Sequence, residues 1–378
     1  KKFDAVTNSV DDGGKGPREG LGYAIEEALA SPKKQLSLLV LRKKQKVKLT
    51  LPLPKLKPLS KSYPYYCARS EKTLEALCDK LLTLQKPDGC WGRWGVNTAT
   101  AAMALLGSGD KKYRPAVKKA AYYYISRDLR AIRLHSWEFV YVGTFLCEYY
   151  LASGDSRILK TIQYICDTLA LGVTADNGRH AHGMSKNPGY DGKGINIISS
   201  HVFLVWTLAA KCGIKIHKKP YDATLAWLTR CTEKNGGTGY IGPYANEDGS
   251  ARTGLFTLGL YLSKADQGLM KVQGEYLVRH TRRMREAHAN SLFGMIWGSA
   301  ALACVNEKGF RQHMDYWKWY IALGRTPQGH GKVRYYIGSR RNNGGDSYLG
   351  YELYNHAAMG MLYAISRKKL FVHGNTQI

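Results

Sequence analysis

The sequence is short of acidic residues: 29 Asp and Glu stand against 56 Lys and Arg, which gives a formal net charge of +27. A positive field of this size attracts polyanions and speeds their encounter, but it carries no information about the fold. The basic residues are dispersed, and they form neither a basic arm nor a basic helical stripe of the kind that binds nucleic acid. The charge therefore predicts either an anionic glycan or another polyanion as the partner, or a solvated basic surface that keeps the protein soluble. The dispersion of the basic residues disfavours nucleic acid.

Cysteine pairs and long apolar runs are also missing. The eight cysteines have neither the Cys-x-x-Cys spacing of a zinc ribbon nor the regular spacing of a disulfide framework. Most of them lie inside apolar helical runs, where a free cysteine acts as a small hydrophobic residue. No apolar run has the length of a membrane span. We therefore expect no metal site, no cofactor and no transmembrane segment, and the free thiols favour a reducing compartment.

The sequence divides into two regions with different patterns of apolar and polar residues. Residues 19–30 (EGLGYAIEEALA) have the apolar spacing of a helix with one buried face. Residues 35–41 (QLSLLVL) and 46–51 (KVKLTL) are typical of two strands of a hairpin, the second with lysine at every other position. A stretch rich in Pro and Lys follows. We predict a helix-plus-hairpin module over residues 1–53, a linker over 54–69 and a main domain over 70–378.

The main domain is built from repeats of about forty to sixty residues. Each repeat has a helix, a polar loop rich in Gly and Asn, and a second helix rich in Ala, Leu and small residues. Six such pairs suffice to close a ring. The sequence therefore predicts a mainly α fold, an (α/α)6 toroid preceded by a small α+β segment. Because each long loop joins an outer helix to the next inner helix, all six loops would lie at one end, which we call the mouth.

Two motifs carry a resemblance to known families. Gln85, Gly89 and Trp91 in LQKPDGCWG resemble the QW signature of the squalene-cyclase and protein-prenyltransferase toroids, and residues 235–240 (NGGTGY) are similar to a degenerate second copy. The helix and hairpin resemble the C-terminal half of a bacterial PDZ domain. Together these features are similar to a bacterial family that pairs a PDZ-like module with a toroid. The resemblance implies a peptide as a second partner and a location in the bacterial envelope or outside the cell, against the free cysteines, so the localisation stays open.

The chemistry of the toroid families does not carry over. Squalene cyclases protonate their substrate through an Asp-x-Asp-Asp cluster, which the sequence lacks. Protein prenyltransferases hold zinc with an Asp, a Cys and a His. Asp346 and His356 are present, but the nearest cysteine, Cys304, lies inside another helix. The resemblance therefore implies the scaffold without the catalytic residues.

The third loop contains the richest group of candidate site residues. His180 and His182 are two positions apart in GRHAHG, which places both rings on one face of an extended segment. They could be two of the ligands of a metal, but the spacing supplies no third ligand. Alternatively, His182 and Tyr190 could exchange protons with a substrate, with His180 and Asn196 binding it. The structural alternative is a glycine-rich loop whose His and Asn side chains bond to its own backbone.

Two other loops add anion-binding candidates. In the fifth loop, Arg285 and His288 precede the start of an inner helix, whose N-terminus favours an anion. In the sixth, Asp346 could act as a base or cap the last inner helix. The remaining candidates for substrate binding are Arg252, Tyr335, Arg341, Asn342 and Asn343. For each loop the alternative is an ordinary basic turn followed by a helix cap.

These residues favour a lyase acting on an anionic polysaccharide. Arg and Asn would neutralise a uronate carboxylate, His182 or His288 would abstract the neighbouring proton, and Tyr190 would protonate the leaving oxygen. A hydrolase needs two opposed carboxylates, and the acids in the loops are few: Asp88, Glu138, Asp191, Glu247, Asp248 and Asp346. A non-catalytic scaffold that binds peptide or glycan, and a terpenoid or prenyl-type enzyme with atypical residues, are the alternatives.

Overall fold

The computed structural model describes residues 17–132, 135–173, 178–183, 194–245, 249–287, 291–323, 349 and 351–377. Within these ranges the chain is mainly helical, with one antiparallel two-stranded sheet. The helices are α1 (Pro17–Ala30), α2 (Ala68–Leu84), α3 (Gly95–Ser108), α4 (Arg114–Ser126), α5 (His135–Ser153), α6 (Leu159–Leu171), α7 (Asn196–Lys211), α8 (Lys218–Arg230), α9 (Ser250–Ser263), α10 (Gln267–Arg279), α11 (Ser291–Phe293), α12 (Ser299–Val305), α13 (Glu307–Leu323) and α14 (Tyr351–Ala364). The strands are β1 (Gln35–Arg42) and β2 (Gln45–Pro52).

The inner helices form a closed ring. Helix α3 contacts α5, α5 contacts α7, and α7 contacts α9. The fifth inner helix consists of α11, a π-helical turn (Gly294–Gly298) and α12, and it contacts both α9 and α14. Helix α14 packs against α3 and closes the circle. The outer helices α2, α4, α6, α8, α10 and α13 lie against this ring. The α/α toroid predicted from the sequence is confirmed.

Composition separates the two kinds of helix. In the inner helix α3 every residue except Leu106 is buried, because the helix is contacted from all sides. In the outer helix α2 the buried positions follow the helical period and define one face: Arg69, Ser70, Leu74, Leu77, Cys78 and Leu81. Small residues such as those of α3 let neighbouring inner helices approach closely, which makes a narrow ring.

The QW-like loop ties an outer helix to the inner helix after it. The Gln85 side-chain amide donates to the carbonyls of Gly89 and Ala116, both at 2.9 Å. Trp91 is fully buried, and its backbone N–H donates to Thr98 Oγ1 at 2.9 Å. Gly89 has φ +98°, and a Cβ there would lie 2.5 Å from the Lys119 carbonyl oxygen of the next outer helix. Only glycine fits this position.

The N-terminal segment packs on the last outer helix. Helix α1 contacts α13, and the Tyr23 hydroxyl donates to the Tyr316 carbonyl at 2.7 Å. Arg69 at the start of α2 reaches Glu26, with an N–O distance of 2.8 Å, and both side chains are buried. The division into a module and a linker, and the resemblance to PDZ domains, stay predictions.

The end opposite the mouth, which we call the base, is closed by the C-terminal segment after α14. Glu148, near the end of α5, accepts backbone N–H groups from Phe371 at 2.9 Å and from Val372 at 2.8 Å. Burial raises the pKa of this carboxyl to about 7. The connections between repeats at this end are short turns.

Across the described ranges, none of the helices combines the length and the apolar composition that a membrane span requires.

Candidate functional site

The mouth is formed where the inner helices begin. Loop residues bind the first turns of the inner helices there: the Asn97 side-chain amide donates to the Leu349 carbonyl at 2.7 Å, and the Trp137 N–H donates to the His182 carbonyl at 3.2 Å. These bonds link the sixth loop to α3 and the third loop to α5. The predicted convergence of the loops at one end is therefore seen for their described parts.

Aromatic rings fill the centre of the ring just below the mouth. Tyr141 lies 4.6 Å from His201 and 5.9 Å from Phe293, measured between ring centroids. Trp297 lies 4.9 Å from His201, and Trp137 lies 5.5 Å from Phe293. All five side chains are buried. These rings form an aromatic floor beneath the mouth, and their packing favours a site at the mouth over one deep in the ring.

Glu138 is a carboxyl group in the first turn of α5, beside Trp137. One of its oxygens accepts the N–H of Gly95, the first residue of α3, at 2.6 Å. It thereby caps the neighbouring helix, whose own N-cap residue, Trp94, makes no side-chain cap bond. Burial raises the pKa of Glu138, against the opposing effects of the Gly95 N–H and of Arg127 and Arg93. A carboxyl with a raised pKa at the mouth is suited to donate a proton.

His180 is a core residue. It is fully buried, its Nε2 lies 3.1 Å from Thr224 Oγ1, and its ring meets that of Trp206 edge-on at 5.4 Å between centroids. Its backbone N–H donates to Ser199 Oγ at 3.0 Å. Burial lowers the pKa of His180 to about 3, so the ring is neutral at physiological pH. These contacts give His180 a packing role between α7 and α8, and its predicted role in substrate binding stays a prediction.

A repeated sequence signal marks this position. Residues 88–91 (DGCW), 177–180 (NGRH) and 235–238 (NGGT) share an Asp or Asn, a glycine and one further residue before the last position. Like Trp91, His180 and Thr238 each donate their N–H to a hydroxyl on the following inner helix, in the last case Thr253 Oγ1 at 2.9 Å. Position 180 is thus equivalent to the tryptophan of the QW-like loop. The repeat could have identified His180 as a packing residue from the sequence.

His182 lies at the mouth itself. Its side chain is half-buried and its ring centroid is 5.9 Å from that of Trp137. The next residue, Gly183, accepts the Ser136 hydroxyl through its carbonyl at 3.4 Å, which holds the loop across the start of α5. The structure therefore brings His182, Trp137 and Glu138 to one end of one inner helix.

Asn196 holds two loops together. Its Oδ1 accepts the indole N–H of Trp227 at 2.7 Å, and its Nδ2 donates to the Gly239 carbonyl at 2.9 Å. Its backbone N–H donates to the Tyr240 carbonyl at 2.8 Å. The side chain is buried. Asn196 thus positions the residues around it, and direct contact with a substrate stays a prediction.

The two described arginine candidates are also buried. Arg252 donates to the carbonyls of Thr238 at 3.1 Å and Ala245 at 2.9 Å, which fixes both ends of the fourth loop. The guanidinium carbon of Arg285 lies 5.6 Å from the ring centroid of Tyr320 and 6.0 Å from those of Trp317 and Trp319. Both arginines therefore support the mouth from within.

The other predicted site residues fall outside the described residues: Tyr190, His288, Tyr335, Arg341, Asn342, Asn343 and Asp346. Their convergence with His182 stays a prediction. Within the described ranges, no three His, Cys, Asp or Glu side chains come together in a way that could hold a metal ion.

Solved structures with the same architecture include three enzymes. The α-1,6-mannanase GH76A of Salegentibacter sp. HEL1_6, in an inactive variant in complex with α-1,6-mannotriose, has a TM-score of 0.56 at 10% identity, covering 78% of this chain and 98% of that one. The unsaturated glucuronyl hydrolase of Bacillus sp. GL1, responsible for the degradation of glycosaminoglycan, has a TM-score of 0.55 at 12% identity, covering 76% and 94%. That of Streptococcus agalactiae has a TM-score of 0.52 at 12% identity, covering 84% and 98%.

At these identities the likeness establishes the toroid fold alone. The more specific resemblance to squalene cyclases and prenyltransferases stays a prediction. None of the curated proteins matches the chain. A family model described as "Domain of unknown function (DUF6288)" matches residues 70–374, a range that contains helices α3 to α14 and all but the first two residues of α2. The chain therefore belongs to the DUF6288 family.

Proposed function

We propose that the mouth of the toroid binds an anionic polysaccharide and cleaves it. The observation that carries the proposal is the grouping of Trp137, His182 and Glu138 at the start of α5, at one end of a protein with a net charge of +27. Trp137 is buried in the aromatic floor, and its backbone N–H binds the His182 carbonyl, so it positions the third loop at the start of α5. A histidine and a carboxyl of raised pKa provide proton transfer. The glycan-processing enzymes among the structural neighbours add support by analogy.

The first route is β-elimination. His182 takes the proton from C5 of a uronate unit, the electron pair forms the C4=C5 double bond, and the C4–O bond breaks. Tyr190 returns a proton to the leaving oxygen. Positive or polar side chains beside the uronate carboxylate acidify the C5 proton. Each cleavage produces one unsaturated uronate, which absorbs ultraviolet light.

The second route is hydrolysis, which the environment of Glu138 favours. Burial raises the pKa of Glu138, and a carboxyl of raised pKa is suited to donate its proton to the glycosidic oxygen as the bond to the sugar carbon breaks. A water molecule then adds to that carbon and releases its proton to a base. The product is a reducing end without a double bond, and it does not absorb. The two routes therefore differ in a measurable product.

The test incubates the full chain with a panel of polygalacturonate, alginate, hyaluronate and heparin, and measures both absorbance and reducing ends. Absorbance that rises with the reducing ends and is lost in His182→Ala supports elimination. Reducing ends without absorbance, lost in Glu138→Gln, support hydrolysis. The matched controls are His217→Ala and Glu307→Gln, since both side chains are exposed and lie at the base.

Binding without either product would identify a non-catalytic glycan scaffold, and absence of binding to every glycan of the panel would refute the proposal. A terpenoid substrate is disfavoured because the rings of the aromatic floor pack against one another, with centroids 4.6 and 4.9 Å apart around His201. Peptide binding by the N-terminal helix and hairpin stays a prediction.

A further inference from the structure

A second group of side chains at the mouth takes no part in the proposed chemistry. It lies between the third and fourth loops, around Trp227 near the end of α8. This ring is half-buried and is fixed by its bond to Asn196. The guanidinium carbons of Arg179 and Arg230 lie 5.2 and 5.7 Å from its centroid. Two guanidinium groups therefore lie against one indole ring at the edge of the mouth.

The fourth loop adds exposed aromatic surface beside them. Asn196 binds Gly239 and Tyr240 as well as Trp227, so the start of the loop lies next to the indole. The loop then turns tightly, because a Cβ on Gly239 would lie 2.8 Å from the backbone nitrogen of Tyr244. Tyr244 is 77% exposed and Ile241 is 45% exposed. Large apolar side chains exposed together beside cations are typical of a surface that binds a ligand.

The support beneath this surface is rigid. Arg252 bonds to the carbonyls on either side of the turn, and its guanidinium carbon lies 5.5 Å from the ring centroid of Tyr240. The Glu233 carboxylate, in the same loop, accepts the Ala245 N–H at 2.5 Å and the Asn235 amide at 2.6 Å, so it holds both sides of the turn. The loop is therefore held in shape before any ligand arrives, which lowers the entropic cost of binding.

Arg230 is exposed, and within the described ranges it forms no ion pair with an acidic side chain. Its charge is held close to an indole and directed to solvent at the mouth. A guanidinium in this setting recognises a carboxylate or a sulfate through two parallel hydrogen bonds, which an ammonium group does not form.

We propose that Arg179, Trp227, Arg230, Tyr240 and Tyr244, which we call the arginine–aromatic rim, bind one carboxylate- or sulfate-bearing sugar unit of the polysaccharide. This inference rests on the proposed function and locates a subsite for it. Arg230 binds the anionic group beside Arg179, and the Tyr244 ring packs on the face of the sugar. The subsite lies beside the third loop, so a chain bound there extends toward His182.

The experiment measures the affinity of the full chain for three fluorescently labelled hexasaccharides: one from polygalacturonate, one from heparin and one neutral, from α-1,6-mannan. We expect Arg230→Ala and Tyr244→Ala each to weaken binding of an acidic probe about tenfold or more. Arg230→Lys should recover only part of the loss. The controls are Arg114→Ala and Tyr66→Ala, since Arg114 is exposed at the base and Tyr66 is 93% exposed before α2.

The failures of the two proposals are distinguishable. If the wild type binds an acidic hexasaccharide and both rim variants bind it equally well, the rim is overturned while the proposed function stands. If the wild type binds none of the acidic probes, the proposed function fails first. Equal binding by Arg230→Lys and the wild type would overturn bidentate recognition. A single-stranded oligonucleotide that binds with the same dependence on Arg230 and Tyr244 would overturn the assignment to a glycan.

The two acidic probes also identify the anion. Loss of rim-dependent binding when the carboxylates of the heparin probe are reduced would assign the rim to carboxylates, and retention would assign it to sulfates. Both results support the subsite. Unfolding midpoints of all variants should stay close to that of the wild type, because Arg230 and Tyr244 are exposed.

Discussion

The base and the mouth of the toroid solve different problems with similar residue types. At the base a buried glutamate, Glu148, binds two backbone N–H groups of the C-terminal segment and seals the ring. At the mouth another buried glutamate, Glu138, binds one N–H at the start of a neighbouring helix, on an end that also presents exposed Tyr244 and Arg230. The contacts at the base therefore stabilise the fold, whereas the mouth leaves polar and aromatic surface in contact with solvent.

The largest effect is expected at the base, from Glu148→Ala. Both the Phe371 and Val372 N–H groups would lose their acceptor, at a cost of about 1–3 kcal/mol each. We expect the free energy of unfolding in urea to fall by about 2–5 kcal/mol, with glycan affinity of the folded protein unchanged. The control is Glu307→Ala, whose exposed ion pair with Lys368 lies at the same end and should contribute less than about 1 kcal/mol. Equal effects of the two variants would contradict the role of Glu148.

The next prediction concerns the pH dependence of stability. Comparing the wild type with Glu148→Gln, which keeps a hydrogen-bond acceptor but has no titratable proton, isolates the effect of burying a titratable carboxyl. Because the folded pKa is raised to about 7, the folded chain binds this proton more tightly than the unfolded chain does. Its contribution is full below the unfolded pKa, near 4.3, and is lost as pH rises through about 7. Glu148→Gln has no such dependence. The free energy of unfolding of the wild type relative to this variant should fall by about 4 kcal/mol over that interval.

The buried histidines contribute equally to both proteins in this comparison, so their titration cancels. Urea unfolding of the two proteins at several pH values between 4.5 and 8 measures the difference. A difference that is flat across this range, or that grows with pH, would show that Glu148 is ionised in the folded protein at every pH tested.

At the mouth, the two histidines of the third loop should behave differently. His180→Ala removes a fully buried ring with a hydrogen bond to Thr224, and we expect it to destabilise the protein by about 2–4 kcal/mol. His182→Ala, at a half-buried position, should change stability by less than about 1 kcal/mol and, under the elimination route, reduce polysaccharide cleavage strongly. Urea unfolding and the cleavage assay, run on both variants, check the pair. A large loss of stability in His182→Ala, together with a loss of cleavage but not of stability in His180→Ala, would contradict these assignments.

The smallest effect on stability is expected for Glu138→Gln. The glutamine carbonyl still accepts the Gly95 N–H, so the unfolding free energy should change by less than about 1 kcal/mol. Under the hydrolytic route, cleavage should fall at least about a hundredfold, because the amide has no proton to donate. Full activity in this variant would restrict Glu138 to capping α3. Glu138 at the mouth would then have a purely structural role, as Glu148 has at the base.

The sequence predicted the elements well because their signals are local. The hairpin expected over residues 35–51 is found as β1 and β2, and the helix expected over 19–30 is α1. The roles of single loop residues were less predictable. His180 and His182 look equivalent within GRHAHG, and only the comparison with the other repeats separates them: one lies against Trp206 in the core and the other beside Trp137 at the mouth. Which of the two rings is buried depends on α5, α7 and α8, which are distant in the chain.

The sequence alone determined the ring and its polarity, since six helix pairs with long loops on alternate connections can close only with those loops at one end. It also determined the basic charge, which is additive and needs no fold. Only the tertiary structure decided which polar residues are structural and which reach the surface. Glu148 meets its two N–H partners 223 and 224 positions later, and Trp227 meets Asn196 across the third and fourth repeats. Such pairings depend on how the helices pack around the ring, and no local pattern in the sequence encodes them.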